Sequence, residues 1–256
     1  MRPAAPTLRE WLREGDFALA MSSGFFGFYA HSGALAALEE AGLVPTKCAG
    51  SSAGALVTGL RAGGVLPDAI ERELTRLRRA DFWDPSPGVG LLRGRLFRER
   101  LDALLPVRAV EDCTIAYAAS VYDLRGLRTR TVTRGALAAA IHASCALPGL
   151  FHPVWIDGRP YSDGGIADRP GVAGVAHEPR VLHHHLASRS PWRRVGSASM
   201  KMPERTGLVS VAIEGITRLG PFALERGRDA FRQAERGMRE ALDRPVTDGA
   251  VRVHAR

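Results

Sequence analysis

Residues Gly50, Ser51, Ser52, Ala53 and Gly54 form a G-x-S-x-G pentapeptide. An apolar run over residues 46–49 leads into it, and a small-residue run with helical character over residues 53–62 leaves it. A serine on such a strand-to-helix turn projects its hydroxyl from a sharp bend, and the flanking glycines keep side chains out of the crowded backbone. In that setting Ser52 is a candidate nucleophile. Five letters are a short match, so the setting carries the argument.

Acyl transfer also needs a base and a pair of donors for the tetrahedral oxyanion. Two further segments supply those chemical types. A glycine- and serine-containing loop, Ser22-Ser23-Gly24-Phe25-Phe26-Gly27, follows the first strand-like run and can offer backbone N–H groups. Asp163, followed by Gly164 and Gly165, can accept the serine proton. By position alone, His142 and His152 are alternative bases, and the order Ser, acid, His also admits His177 and His183 to His185. The three consecutive histidines are a poor metal site, because adjacent strand residues point to opposite faces. Phe25, Phe26, Phe28 and Tyr29 are suited equally to lining an apolar pocket or covering a sheet.

The elements around these segments alternate in type. Strand-like runs fall at residues 17–21, 46–49, 113–121, 129–132, 154–156, 180–186 and 208–213. Helical patterns fall at residues 34–41, 53–62, 97–105, 135–144 and 221–242, with one more opened by Pro67. Residues 22–33 and 81–94 read as loops, and Asp157-Gly158 reads as a tight hairpin turn. Strands alternating with helices predict an α/β fold with a mostly parallel sheet and the site at the carboxyl ends of its strands.

Composition bounds the partners. The chain has 256 residues, 45% of them hydrophobic, and a formal net charge of +8 carried mainly by arginine. That length suits one α/β domain with a substantial core. The charge admits an anionic lipid surface as a partner. Nucleic acid is not expected, since no basic block is interleaved with aromatics. Three scattered cysteines form neither a disulfide framework nor a C-x-x-C site, and their number fits a reducing, cytoplasmic setting. The first 16 residues lack a signal-peptide pattern, and no apolar run is long enough to span a bilayer. The glycine loop lacks the first glycine of a dinucleotide motif, Lys47 stands where an acid is needed, and there is no G-K-[ST]. No cofactor and no metal are expected.

The motifs together resemble the patatin-like phospholipase family. Besides the loop, the pentapeptide and D-G-G, His31-Ser32-Gly33-Ala34-Leu35 is similar to that family's H-x-G-V-L. The segment from Ala143 to Phe151 is similar to its A-S-x-A-x-P-x-x-F. The resemblance implies a single three-layer α/β/α domain with a patatin-like core at residues 16–190. An extension precedes it at residues 1–15, and a strand and helix follow at residues 191–256. It implies a carboxylic ester hydrolase acting on lipids through a Ser52–Asp163 dyad. The motif glycines are Gly27, Gly50, Gly54, Gly164 and Gly165, and backbone N–H groups of Ser23, Gly24 and Phe25 line an oxyanion hole. Three features depart from the family pattern: Ser22 replaces its first glycine, Phe26 replaces a common Arg or Lys, and one extra residue lies between Gly27 and His31. The altered loop leaves open a catalytically weak lipid- or protein-binding module, and the dyad would also serve an acyltransferase. A carboxylate is a weak base for a serine hydroxyl, so such a dyad leans on its oxyanion donors.

Overall fold

The computed structural model describes residues 5–186 and 201–255. In chain order the elements are α1 (Leu8–Arg13), β1 (Ala18–Met21), α2 (Phe28–Glu40), β2 (Lys47–Ser51), α3 (Ala53–Ala62), α4 (Pro67–Thr75), β3 (Gly90–Leu92), α5 (Arg95–Leu104), β4 (Ala116–Asp123), β5 (Arg128–Val132), α6 (Leu137–Cys145), β6 (Gly149–Phe151), β7 (Val154–Ile156), β8 (Arg159–Asp163), β9 (Val181–His185), β10 (Leu208–Glu214), α7 (Gly227–Leu242) and β11 (Ala250–His254). The boundary expected at residue 190 falls outside the described residues.

The α/β architecture expected from the alternating pattern is present. A nine-stranded mixed sheet runs β11-β10-β9-β1-β2-β4-β8-β7, with β5 on the far edge of β4. From β11 to β4 every pairing is parallel, while β5, β7 and β8 add antiparallel ladders. Strand alternation divides the core between two faces. Leu19, Met21, Cys48, Tyr117 and Leu182 join the large cluster beneath the α-helices. Ala18, Ala20, Ala49 and Ala118 face the other way, onto Val175 in a short helical turn at residues 173–175. Helical elements therefore cover both faces, but unequally. The alanine face accepts a thin layer because its side chains are small.

Local chemistry explains most boundaries. α1 begins at a capping box, with Thr7 and Glu10 each bonding the other's backbone N–H. Its Leu8 and Leu12 are buried in the main core. α4 carries proline at its first position and Asp68 in its first turn. At the β7–β8 turn, Asp157 and Gly158 have φ of 48° and 71°, the two positive values of a type I′ turn. β1 and β9 are both buried along their whole length; β1 is accordingly apolar throughout, whereas β9 follows Val181 and Leu182 with three buried histidines.

Several boundaries differ from the sequence reading. α2 starts at Phe28, inside the stretch expected to be a loop, so Gly33 is helical. Its reason is packing: a methyl group at Gly33 would collide with the Phe231 carbonyl of α7, which crosses α2 there. The helix expected over residues 221–242 begins only at Gly227. The short strand β3 lies within the loop expected at residues 81–94 and pairs with β6. β11 was not expected; it alternates buried and exposed residues at one end of the sheet order.

Gly33→Ala should lower stability by about 1–3 kcal/mol, the usual cost of forcing extra volume into a packed contact. A shift in the urea unfolding midpoint measures it, and an unchanged midpoint would show that α2 and α7 can move apart without cost.

Candidate active site

The turn after β2 is strained in the way an exposed nucleophile needs. Ser52 has φ 53° and ψ −120°, outside the usual regions for a non-glycine residue. Close packing holds it there. A methyl group at Gly54 would meet the Met21 carbonyl, and one at Gly50 would meet the backbone of Gly54. Ser144 supports the turn directly: its Oγ accepts the Ser52 N–H at 2.9 Å and donates to the Ser120 carbonyl at 2.6 Å. The Cys145 thiol donates to the Ser52 carbonyl at 3.3 Å. Ser144 and Cys145 stand in the A-S-x-A segment, which the sequence had flagged only as a motif.

Asp163 reaches Ser52 through the sheet. The Ser52 hydroxyl donates to Asp163 Oδ2 at 2.6 Å. The other carboxylate oxygen, Oδ1, accepts the Gly165 N–H at 2.7 Å. That bond turns Oδ2 toward the Ser52 hydroxyl, and Asp163 is itself almost wholly buried. The histidines considered as bases are engaged elsewhere. His142 packs against Phe97 and Phe151, and His152 lies 3.4 Å from the Ser86 carbonyl. His183 bonds Ser210 and the Pro170 carbonyl, His184 meets His31, and His177 is exposed. His183 and His185 share one face of β9, 5.7 Å apart between ring centres, while His184 points to the other. Among the described residues no group of three or more His, Cys, Asp or Glu is arranged to hold a metal ion.

The loop at residues 22–27 lies beside Ser52 and Asp163. Ser22, in place of a glycine, has no positive φ. Its hydroxyl accepts the Leu186 N–H at 2.9 Å, and its N–H donates to the His184 carbonyl at 3.2 Å. The Ser23 N–H is already committed, donating to the Arg169 carbonyl at 2.7 Å. Of the three donors expected, only those of Gly24 and Phe25 have no acceptor among the described residues. A turn closed by Gly27 N–H on the Gly24 carbonyl, 2.9 Å, shapes this segment, with Phe26 at φ 53°. Asp168 supports the same region from behind. Its carboxylate takes Ser120 Oγ at 2.5 Å and the N–H groups of Gly171, Val172 and Ala173.

Ser52, Asp163, Gly24 and Phe25 all open onto one cleft of about 1500 Å³. That exceeds the roughly 300–1,000 Å³ of an ordinary small-molecule pocket. Its walls are mainly apolar, with Leu56, Leu60, Phe97, Leu101, Leu147 and Phe151 among them. The aromatic cluster divides between the two roles open to it. Phe25, Phe26 and Phe28 line the cleft, whereas Tyr29 is fully buried where α2 meets Gly227. Phe26 packs edge-on against Phe25 and near Phe82, so an aromatic wall stands where the family commonly has a cation. Charged residues interrupt these walls, among them Glu73, Arg100, Glu214 and the almost wholly buried Arg169.

Comparison with known proteins follows this geometry. The family model for patatin-like phospholipase matches residues 19–175. An uncharacterised NTE family protein of Mycobacterium tuberculosis is 38% identical over 162 residues, which are 62% of this chain and 45% of that protein. The neuropathy target esterase sws of Drosophila melanogaster is 26% identical over 192 residues, 69% of this chain and 13% of that protein. The chain thus spans less than half the length of either relative. Among solved structures, VipD from Legionella pneumophila superposes with a TM-score of 0.63, covering 88% of this chain and 67% of that one at 14% identity. That likeness is one of fold. No helix among the described residues is long and apolar enough to cross a membrane. The match over residues 19–175 covers more than half of the sequence and includes both Ser52 and Asp163, and the chain belongs to the patatin-like phospholipase family.

Proposed function

We propose that this protein is a serine hydrolase that cleaves acyl esters of lipids through a Ser52–Asp163 dyad. The observation that carries the reading is the 2.6 Å bond from the Ser52 hydroxyl to Asp163 Oδ2 at a strained turn opening onto an apolar cleft. Family membership supports lipid hydrolysis as the general activity. The dyad and the ester specificity are our reading of the site.

In the first half-reaction Ser52 Oγ attacks the ester carbonyl carbon and its proton passes to Asp163 Oδ2. The carbonyl oxygen becomes an oxyanion and takes the N–H groups of Gly24 and Phe25. The intermediate collapses by breaking the bond to the alcohol oxygen, which receives the proton from Asp163. The acyl group is left on Ser52. Asp163 then removes a proton from water, the hydroxide attacks the acyl-enzyme, and the proton returns to Ser52 Oγ as the fatty acid leaves. No other base is required, because one carboxylate serves both half-reactions. The apolar walls hold the acyl chain and exclude water from the oxyanion, which strengthens both donor contacts.

The substrate would be met at a lipid surface. The net charge of +8 favours an anionic one, and Phe25 at the cleft and Phe222 are exposed apolar side chains. Arg79 stacks at 5.2 Å on both Phe222 and Trp83. This is a pairing of cation and aromatics suited to a headgroup boundary.

Three outcomes are expected. A fluorophosphonate should label Ser52, and both Ser52→Ala and Asp163→Asn should abolish p-nitrophenyl ester turnover, while alanine at His152 or His177 should leave it near wild type. Absence of labelling, with wild-type turnover no higher than that of Ser52→Ala, would falsify the hydrolase reading in favour of a binding module. Ser144→Ala should reduce kcat by roughly 10-fold or more while the fold persists, since it strands the Ser52 N–H in a buried site at about 1–3 kcal/mol. Binding to phosphatidylglycerol vesicles should exceed binding to phosphatidylcholine vesicles and weaken with added salt. Equal binding to both would remove the electrostatic part of the reading.

A further inference from the structure

Behind the loop at residues 22–27 lies a chain of buried polar contacts that the proposed mechanism does not use. His31 Nε2 is 2.7 Å from the Ser22 carbonyl, and His31 Nδ1 is 2.9 Å from His184 Nδ1. Both rings are fully buried. A carbonyl can only accept, so the His31 proton sits on Nε2. A neutral His31 then has a bare Nδ1, and the short contact requires His184 to donate from its own Nδ1. This leaves His184 Nε2 bare, and that atom has no hydrogen-bond partner among the described residues. Burial keeps both rings neutral; it holds His31 down at about 4 against the opposing pull of the Ser22 carbonyl, and His184 well below the usual histidine range.

The direction of these bonds matters because of what Ser22 precedes. The peptide joining Ser22 to Ser23 is gripped at both ends: its carbonyl by His31 and its N–H by the Arg169 carbonyl, 2.7 Å away. The next two N–H groups in the chain are those of Gly24 and Phe25. The orientation of the gripped peptide sets the direction in which the chain enters the two peptides that carry those groups. We infer that His184 and His31 form a positioning relay for the oxyanion loop, in which His184 orients the His31 ring and His31 locks the Ser22 peptide so that Gly24 and Phe25 stay turned toward the cleft. The inference rests on the assignment of those two N–H groups as oxyanion donors. His31 and His184 are positioning residues, since neither touches the reacting atoms.

Two substitutions at one site separate the two bonds. His31→Gln places an amide N–H near the Nε2 position and keeps the Ser22 contact; His31→Asn places its amide near Nδ1 and loses that contact. The Asn variant should lose roughly 10–100-fold in kcat, the scale of a small misplacement of catalytic groups, with KM little changed. Its affinity for a trifluoromethyl ketone, whose serine adduct carries an oxyanion, should fall by a similar factor. The Gln variant should recover most of both. Wild-type kcat in His31→Asn, or a loss of kcat without loss of inhibitor affinity, overturns the relay. Nitrogen-15 spectra of the wild-type histidines give a second test that needs neither turnover nor a mutant. They should show His31 protonated at Nε2, His184 protonated at Nδ1, and a scalar coupling across the N–H···N bond. The opposite tautomers, or a charged ring near neutral pH, overturn it. A failure of the hydrolase reading is distinguishable, because it appears as an unlabelled Ser52 in the wild type, whereas the tautomers report on the relay alone.

Discussion

Along one edge of β4 the hydrogen-bonding partner changes from β2 to β8, and Ser52 and Asp163 sit at that change. Ser120 pairs with Ser51 in the parallel ladder, and the next residue, Val121, pairs with Asp163 in an antiparallel one. Since β5 occupies the opposite edge over residues 119–123, β2 and β8 must share an edge. The end of one strand therefore abuts the end of another, and residues 111 apart in sequence come within hydrogen-bond distance. A one-residue slip of either ladder would turn the pairing residue's side chain to the other face of the sheet and separate the pair. β4 is buried along most of its length, and this opposes such a slip.

The strain at Ser52 is held by the same neighbourhood. Ser144 links the Ser52 N–H to the Ser120 carbonyl, so the strand that sets the spacing of Ser52 and Asp163 also anchors the Ser52 backbone. Ser120 contributes a third time through its hydroxyl, which donates to Asp168. Asp168 gathers the turn that follows D-G-G, and the neighbouring Arg169 carbonyl holds Ser23. Ser52, Asp163 and the loop at residues 22–27 are thus linked to β4 through short hydrogen bonds, the loop by way of Asp168 and Arg169. Strain of about 1–3 kcal/mol at one residue persists where its surroundings over-determine it.

The departures from the family pattern acquire physical meaning in this setting. Ser22 needs no glycine geometry, and its hydroxyl satisfies the N–H of Leu186 just past β9. Phe26 accepts a left-handed backbone at φ 53° with its ring held among Phe25, Phe28 and Phe82. The loop is differently built, yet it leaves two adjacent N–H groups without acceptors among the described residues beside Ser52.

The sequence by itself determined the local features of this protein. The G-x-S-x-G turn, the small-residue helix at residues 53–62 and the Asp157-Gly158 hairpin follow from short-range sterics: close backbone approach, positive φ and the periodicity of side chains. The segments that mark Ser52 and Asp163 stood out instead through their resemblance to a family's motifs. Tertiary structure decided what depends on distant partners. Gly33 reads as a loop glycine until α7 crosses α2 there, where the Phe231 carbonyl leaves no room for a side chain. Ser144 reads as a small helix residue until it meets Ser52, whereas the division of the three β9 histidines between two faces is the strand alternation expected from the sequence. Which of the loop's N–H groups remained without an acceptor was also beyond the sequence. Hydrogen-bond bookkeeping in a buried site depends on carbonyls, such as that of Arg169, brought there by the sheet.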